Sequence, residues 1–302
     1  MAELIEKIKK LKNEKNAVIL AHCYQNPEID DVADFVGDSL YLSQMAAKTD
    51  ADIIIFAGVY FMAQTAKILS PDKKVLLPRR EAGCAMADMI NVEQLRKFKS
   101  LHSSVPVVCY INSTAEVKAE CDICCTSSNA VKIVESLKSD KVLFLPDQYL
   151  GKWVESKLNG VEVITYDGCC PVHHQILAED ILNARDKYPD AKILSHPECR
   201  KEVTELSDYV GSTTGIMKYA KESNAKNFVI ATEKGVVDRL RRDCPDKNFI
   251  LIKENLLCES MKCTTLEDIY KALCEEKYEI KVDAKLSEKA HLCIDRMLGV
   301  SE

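Results

Sequence analysis

The feature that most restricts how this chain can fold is an internal threefold repeat. If the first copy is anchored at His22, the second at Tyr110 and the third at His196, each anchor stands just past a short apolar run. Two residues on are Tyr24, Asn112 and Glu198; six on, Glu28, Glu116 and Glu202; twelve on, Asp34, Asp122 and Asp208. Seventeen on come three hydroxyls, Ser39, Ser127 and Thr213, and Cys84, Cys170 and Cys258 lie 62, 60 and 62 residues past their anchors. General likeness among α/β units explains recurring strands but not a cysteine held at fixed spacing, so the frame predicts a triplicated supersecondary unit.

The runs around these anchors set the fold class. Apolar β-rich segments at 17–20, 52–56, 75–77, 105–108, 142–145, 161–164, 191–194, 228–230 and 249–252 alternate with amphipathic stretches such as 42–48, 63–69 and 131–137. Short, continuously apolar strands separated by helices are the pattern of parallel sheets covered on both faces. The expectation is α/β: three similar parallel-sheet αβα domains, spanning 1–88, 89–172 and 173–302, around a pseudo-threefold axis. The last carries a C-terminal helical segment that the pattern does not place. The first seventeen residues are a charged helical pattern without an apolar signal region, and no apolar run approaches the ~20 residues of a membrane span, so a cytoplasmic protein is expected. A net charge of −6 disfavours nucleic acid or an anionic membrane as main partner.

Fourteen cysteines stand out from an otherwise ordinary globular composition. In a chain of this size with no sign of export, disulfides are not expected; the thiols divide between core filler and metal ligands. One thiolate from each repeat, converging on the axis, makes a trigonal soft donor set for an iron–sulfur cluster, or for zinc with a fourth ligand. A 4Fe–4S cluster on three thiolates keeps one iron open for Lewis-acid work. Cys169 and Cys263 are the lesser candidates beside Cys170 and Cys258. Cys121-x-x-Cys124 has zinc-like spacing but no second pair, and 122–125 reads as a buried strand. His102, His174 and His291 are expected in surface or packing roles. Ligands of open α/β sheets bind beyond the carboxyl ends of the strands, where the three anchor pairs stand. Ser39, Ser127 and Thr213 read as N-cap hydroxyls of helices whose N–H groups suit carboxylates or phosphate. No dinucleotide or P-loop fingerprint is present.

Several longer motifs resemble the quinolinate synthase family almost end to end: 21–25 (AHCYQ), 34–39 (DFVGDS), 81–84 (EAGC) with 86–88 (MAD), 110–112 (YIN), 125–129 (CTSSN), 170–173 (CPVH), 196–199 (HPEC), 211–215 (GSTTG) and Met261-Lys262. The chain departs from that pattern at Cys23, Tyr60, Tyr149 and Cys263, and none of these departures removes a proposed cluster ligand. The resemblance implies a 4Fe–4S cluster, one per chain, on Cys84, Cys170 and Cys258 at the junction of three domains. It implies a transferase that condenses iminoaspartate with dihydroxyacetone phosphate to quinolinate in NAD biosynthesis, supplied with iminoaspartate by L-aspartate oxidase or dehydrogenase. By resemblance His22, Ser39, Tyr110, Asn112, Ser127, His196, Glu198 and Thr213 line the substrate pocket, with Tyr24 and His173 at further pocket positions and Ile111 and Pro197 between paired residues. Among them Glu198 is the expected base, His22 or Tyr24 the proton relay, and Tyr110 orients the substrate. On the residues alone, another open-iron hydro-lyase and a non-catalytic redox sensor are the competing readings.

Overall fold

The computed structural model describes residues 1–301. Its twelve strands form three four-stranded parallel sheets of one topology. The first holds β1 (Ala17–His22), β2 (Phe35–Gly37), β3 (Ile53–Ala57) and β4 (Lys74–Leu76) in the order β2-β1-β3-β4. The second holds β5 (Val107–Tyr110), β6 (Ile123–Cys125), β7 (Lys141–Leu145) and β8 (Glu162–Thr165), ordered β6-β5-β7-β8. The third holds β9 (Lys192–Ser195), β10 (Tyr209–Val210), β11 (Asn227–Ala231) and β12 (Asn248–Leu251), ordered β10-β9-β11-β12. Each sheet is flanked by helices, so the triplicated α/β architecture is as expected. Each of the nine strands read from apolar runs forms, shifted by a residue or two. β2, β6 and β10 are short edge strands that show in the sequence only as the step before a hydroxyl. No helix of the described residues is long and apolar enough to cross a membrane.

The repeated acids have repeated work. Asp34, Asp122 and Asp208 each accept the backbone N–H of the residue three before the anchor: Ile19 at 2.8 Å, Val107 at 2.7 Å and Ile193 at 2.9 Å. Each returns its own N–H to that residue's carbonyl, at 2.9, 3.1 and 2.8 Å. The carboxylate thus pins the edge strand's approach to the central strand and fixes its register; a hydrogen bond to a charged acceptor is worth ~1.5–3 kcal/mol. Glu28, Glu116 and Glu202 sit in the first turn of the short helix that follows each anchor, where the helix dipole favours an anion.

The chain after Thr264 returns to the first two units. Helix Leu266–Glu275 packs on helix Ala2–Glu14 and buries Ile269 and Leu273 in the first unit's core. Helix Ala284–Ser301 lies over β6 and the helix Ala115–Lys118, burying Cys293, Ile294 and Met297, with Cys293 Sγ 3.3 Å from Cys124 Sγ. Arg296 there donates to the Asp122 carbonyl at 2.7 Å.

Between the units, Asp38 is the shared acceptor. Its Oδ1 caps helix Ser39–Lys48 by accepting Tyr41 N–H at 3.1 Å, and its Oδ2 accepts Ser128 Oγ–H at 2.8 Å and Thr214 Oγ1–H at 2.6 Å. Ser128 and Thr214 are register equivalents in the second and third repeats, so one buried carboxylate of the first unit ties all three. The first and third units also meet where Gly235 leaves no room for a side chain: a Cβ there would lie 2.8 Å from the Cys23 carbonyl oxygen and the Tyr24 Cα. Asp38→Ala removes the cap and two interdomain bonds and strands two hydroxyls. It is expected to cost about 2–4 kcal/mol of unfolding free energy, read by urea denaturation; a change below about 0.5 kcal/mol would contradict the tie.

Candidate active site

The carboxyl ends of the three sheets surround one cavity of about 320 Å³. Backbone alternation past each central strand decides who faces it. His22 and Tyr24, Tyr110 and Asn112, and His196 and Glu198 line the wall. The residue between each pair, Cys23, Ile111 or Pro197, is buried away from it. Ile111 and Pro197, expected among the pocket residues, are therefore not part of the wall; Ile111 instead joins the apolar core and pairs its N–H with the Cys125 carbonyl at 2.8 Å. Ser39, Ser127, His173, Thr213, Cys84, Cys170 and Cys258 all border the cavity as expected.

The hydroxyls are not the caps they were expected to be. Asp38 and Ser212, one residue earlier, accept the N–H groups of Tyr41 and Gly215, so Ser39 and Thr213 are first helical residues and their hydroxyls face the cavity. Ser127 stands in the turn after β6, where Asn129 Oδ1 accepts the Thr126 N–H at 2.6 Å. Asn112 Oδ1 is buried without a hydrogen-bond partner on the cavity wall, an acceptor awaiting a ligand.

Two histidines are set by the same device. The N–H of Tyr24 donates to His22 Nδ1 at 3.1 Å, and the N–H of Glu198 donates to His196 Nδ1 at 3.3 Å. With Nδ1 accepting, the neutral ring carries its proton on Nε2 as a donor. Burial pushes His22 down to about 4 and His196 to about 3, the nearby carboxylates opposing only in part, so both are neutral at pH 7.

Glu198 is the hub. Tyr110 Oη donates to its Oε1 at 2.6 Å, and His173 Nδ1 lies 2.8 Å from its Oε2, out of line for a hydrogen bond. Burial pushes the carboxyl up, but the imidazoles of His196 and His173 and the contacts with His173 and Tyr110 outweigh it and hold it below the ordinary range. Burial holds the Tyr24 and Tyr110 phenols well above their usual value, so both keep their protons. His173 Nε2 meets Thr232 Oγ1 at 2.8 Å, and Thr232 meets Tyr24 Oη at 3.1 Å. A polar chain therefore runs Tyr24–Thr232–His173–Glu198–Tyr110 across all three units. Thr232, Asp38 and the apolar walls Val59, Phe61, Met86 and Met261 were not singled out from the sequence as site residues. The motifs at 34–39, 86–88 and Met261-Lys262 were the available signal for Asp38, Met86 and Met261, and Thr232 carried none.

All fourteen cysteines are free. Cys84, Cys170 and Cys258 share the cavity wall, whereas Cys169 and Cys263 do not border it. Cys169 Sγ instead lies 3.5 Å from His174 Nδ1, and His174 is held between Tyr149 Oη at 2.8 Å and Arg200 at 2.7 Å, a packing role. Burial pushes Cys84 up to about 12, Cys258 to about 11 and Cys170 well above the usual range. Three desolvated thiols, one from each unit, on one cavity wall suit a soft metal group that displaces their protons. Cys170, His173 and Glu198 also bring one donor atom each within 4.8 Å of one another. His173 Nε2 and Glu198 Oε1 are engaged with Thr232 and Tyr110, which leaves His173 Nδ1 and Glu198 Oε2 as the donors of that group.

The depressed histidines give the metal-free fold an acid weakness. Unfolding below pH 6.5 lets His22 and His196 bind protons that the native state refuses. Stability is therefore whole above about 6.5 and lost as pH falls toward 4 and 3, by up to ~1.4 kcal/mol per pH unit per group. Between pH 7 and 5 the unfolding free energy is expected to drop steeply, and His22→Asn with His196→Asn to flatten that slope. An unchanged slope would reject the assignment.

A family profile described as quinolinate synthetase A protein matches residues 6–299. The quinolinate synthase of Alkaliphilus metalliredigens (strain QYMF) is 54% identical over 297 residues, 98% of each chain. That of Methanosarcina barkeri (strain Fusaro / DSM 804) is 50% identical over 299 residues, 99% of this chain and 98% of its own. That of Clostridioides difficile (strain 630) is 49% identical over 288 residues, 95% of each. Three repeats closing on one thiol-lined cavity, with identity near one half from end to end, have one reading: the chain belongs to the quinolinate synthase family.

Proposed function

We propose that this chain is a quinolinate synthase, condensing iminoaspartate with dihydroxyacetone phosphate and releasing phosphate and water, in the de novo route to NAD. The observation that carries the reading is the cavity itself, where three thiols, two neutral imidazoles and hydroxyls from each unit converge in about 320 Å³. The units 1–88, 89–172 and 173–302, the last without the segment after Thr264, each contribute one thiol, and Cys84, Cys170 and Cys258 would hold a 4Fe–4S cluster. When bound, the cluster supplies Lewis acidity at the iron that no thiol occupies.

The remaining chemistry belongs to the side chains. Both substrates are anions, and the pocket meets them with neutral donors: the Nε2–H groups of His22 and His196, and the hydroxyls of Ser39, Ser127 and Thr213 at or near helix starts. Asn112 adds an amide beside them. Val59, Phe61, Met86 and Met261 keep water out, which strengthens each of these contacts. Glu198 is the base by position, an ionised acceptor flanked by two proton-bearing neighbours. Tyr24, joined through Thr232 to His173 Nε2, is favoured over His22 as relay, because His22 Nδ1 is already occupied by the Tyr24 amide. Tyr110 orients and covers the substrate. An imine hydrolyses in water, so its supplier, L-aspartate oxidase or dehydrogenase, shares the cytoplasm with this chain.

Anaerobic purification tests the reading directly. About four irons per chain are expected, together with quinolinate and phosphate formed from the two substrates. Cys84→Ala, Cys170→Ala and Cys258→Ala should lose both iron and product, while Cys169→Ala keeps them. Failure to consume dihydroxyacetone phosphate would reject the assigned reaction. Glu198→Gln should keep its iron and slow single-turnover product formation by about 10²–10⁴; the parental rate would remove Glu198 as base.

A further inference from the structure

A clasp recurs behind each cavity cysteine. The first helical N–H after the third strand of each unit donates to the carbonyl two residues before the cysteine: Tyr60 to Ala82 at 2.7 Å, Gln148 to Gly168 at 2.8 Å, Lys234 to Leu256 at 2.9 Å. The residue just before that donor is the helix N-cap, and its identity differs among the units: Val59, Asp147 and Glu233. Asp147 and Glu233 are both fully buried. Each splits its carboxylate in the same way. One oxygen caps its own helix, Asp147 Oδ1 on Leu150 N–H at 2.8 Å and Glu233 Oε2 on Gly235 N–H at 2.6 Å. The other accepts the N–H of the cavity cysteine itself, Asp147 Oδ2 from Cys170 at 3.2 Å and Glu233 Oε1 from Cys258 at 3.3 Å. Val59 has no acceptor to offer Cys84.

We infer that Asp147 and Glu233 are positioning residues for two of the three thiols, each bracing its cysteine loop so that the sulfur is presented to the metal group, while Cys84 relies on the backbone clasp alone. Two observations make this more than helix capping. A cap needs one oxygen, and a serine supplies it elsewhere in this fold at Ser212. The second oxygen in each case goes to a cysteine, and to the cysteine at the repeat-equivalent position. Two buried carboxylates of different length reach the same target by the same division of labour. Neither was singled out from the sequence, because the frame there was built on identical or chemically alike residues and this position holds Val, Asp and Glu. The inference rests on the cluster reading above for its consequence, and on hydrogen bonding alone for its geometry.

The test separates the two. In the metal-free chain, amide hydrogen exchange is followed at Cys170 and Cys258. Asp147→Ser, which can still cap the helix, is expected to speed exchange at Cys170 about tenfold or more and leave Cys258 unchanged; Glu233→Ser is expected to do the reverse. Asp147→Glu and Glu233→Asp keep both acceptor oxygens and should restore most of the protection. In the anaerobically loaded chain, the two serine variants should release iron to a chelator about 10–100-fold faster than the parent, the usual cost of losing an outer support, with the carboxylate swaps close to the parent. Unchanged exchange at Cys170 in Asp147→Ser and at Cys258 in Glu233→Ser would overturn the bracing. Altered exchange with unchanged iron release would overturn its role in holding the group. A parent that binds no iron would defeat the cluster reading, and the exchange pattern would still decide the bracing.

Discussion

The structure depends on a single carboxylate at the meeting point of three separately built sheets. Asp38 starts a helix in the first unit with one buried oxygen and accepts hydroxyls from the second and third with the other. The first and second units share one apolar core, but the third keeps its own, so packing alone gives the three no full reason to hold one mutual orientation. A shared anionic acceptor gives them one, since each hydroxyl that lets go strands a buried polar group. The cavity beside it takes its shape from that agreement, as the hydroxyls at Ser39, Ser127 and Thr213 stand next to the three residues involved.

Repetition and departure from it divide the labour. What is threefold is scaffolding: the aspartate that pins the edge strand, the glutamate on the short helix, the clasp behind each cysteine and the thiol itself. What differs among copies is chemistry. The anchor pairs are His and Tyr, Tyr and Asn, His and Glu, and only this mixture yields the polar chain from Tyr24 through Thr232, His173 and Glu198 to Tyr110. Asp38 has Thr126 and Ser212 as its counterparts, and neither has a second oxygen with which to cap a helix while the first accepts two hydroxyls. A symmetric scaffold thus presents an asymmetric lining, which an unsymmetrical substrate requires.

The sequence made the fold class, nine of twelve strands and the wall residues at the anchor pairs legible, because strand runs and spacing within one unit are local signals. Ile111 and Pro197 were expected in the pocket because a motif is contiguous, whereas backbone alternation turns each motif's middle residue away from the wall. The N-caps were displaced by one because Asp38 and Ser212 offer better-placed acceptors than their neighbours. Thr232, Asp38, Asp147 and Glu233 were not legible as site residues, since each matters through a partner in another unit or a cysteine more than twenty residues away. The segment after Thr264 could not be placed because its amphipathic pattern specifies an apolar face and not the surface it covers.

That last segment has a consequence for how the molecule comes into being. The core of the third unit is made from residues 170–258 with Tyr24 alone from outside. The first unit's core includes Leu266, Ile269 and Leu273, and the second unit's is closed by Cys293, Ile294 and Met297. During synthesis from the N-terminus, the units made first are therefore the ones finished last. The β6 edge and the helix beside it stay bare until Ala284–Ser301 is made, so a chain cut short before Leu266 would hold one completed unit and two open ones.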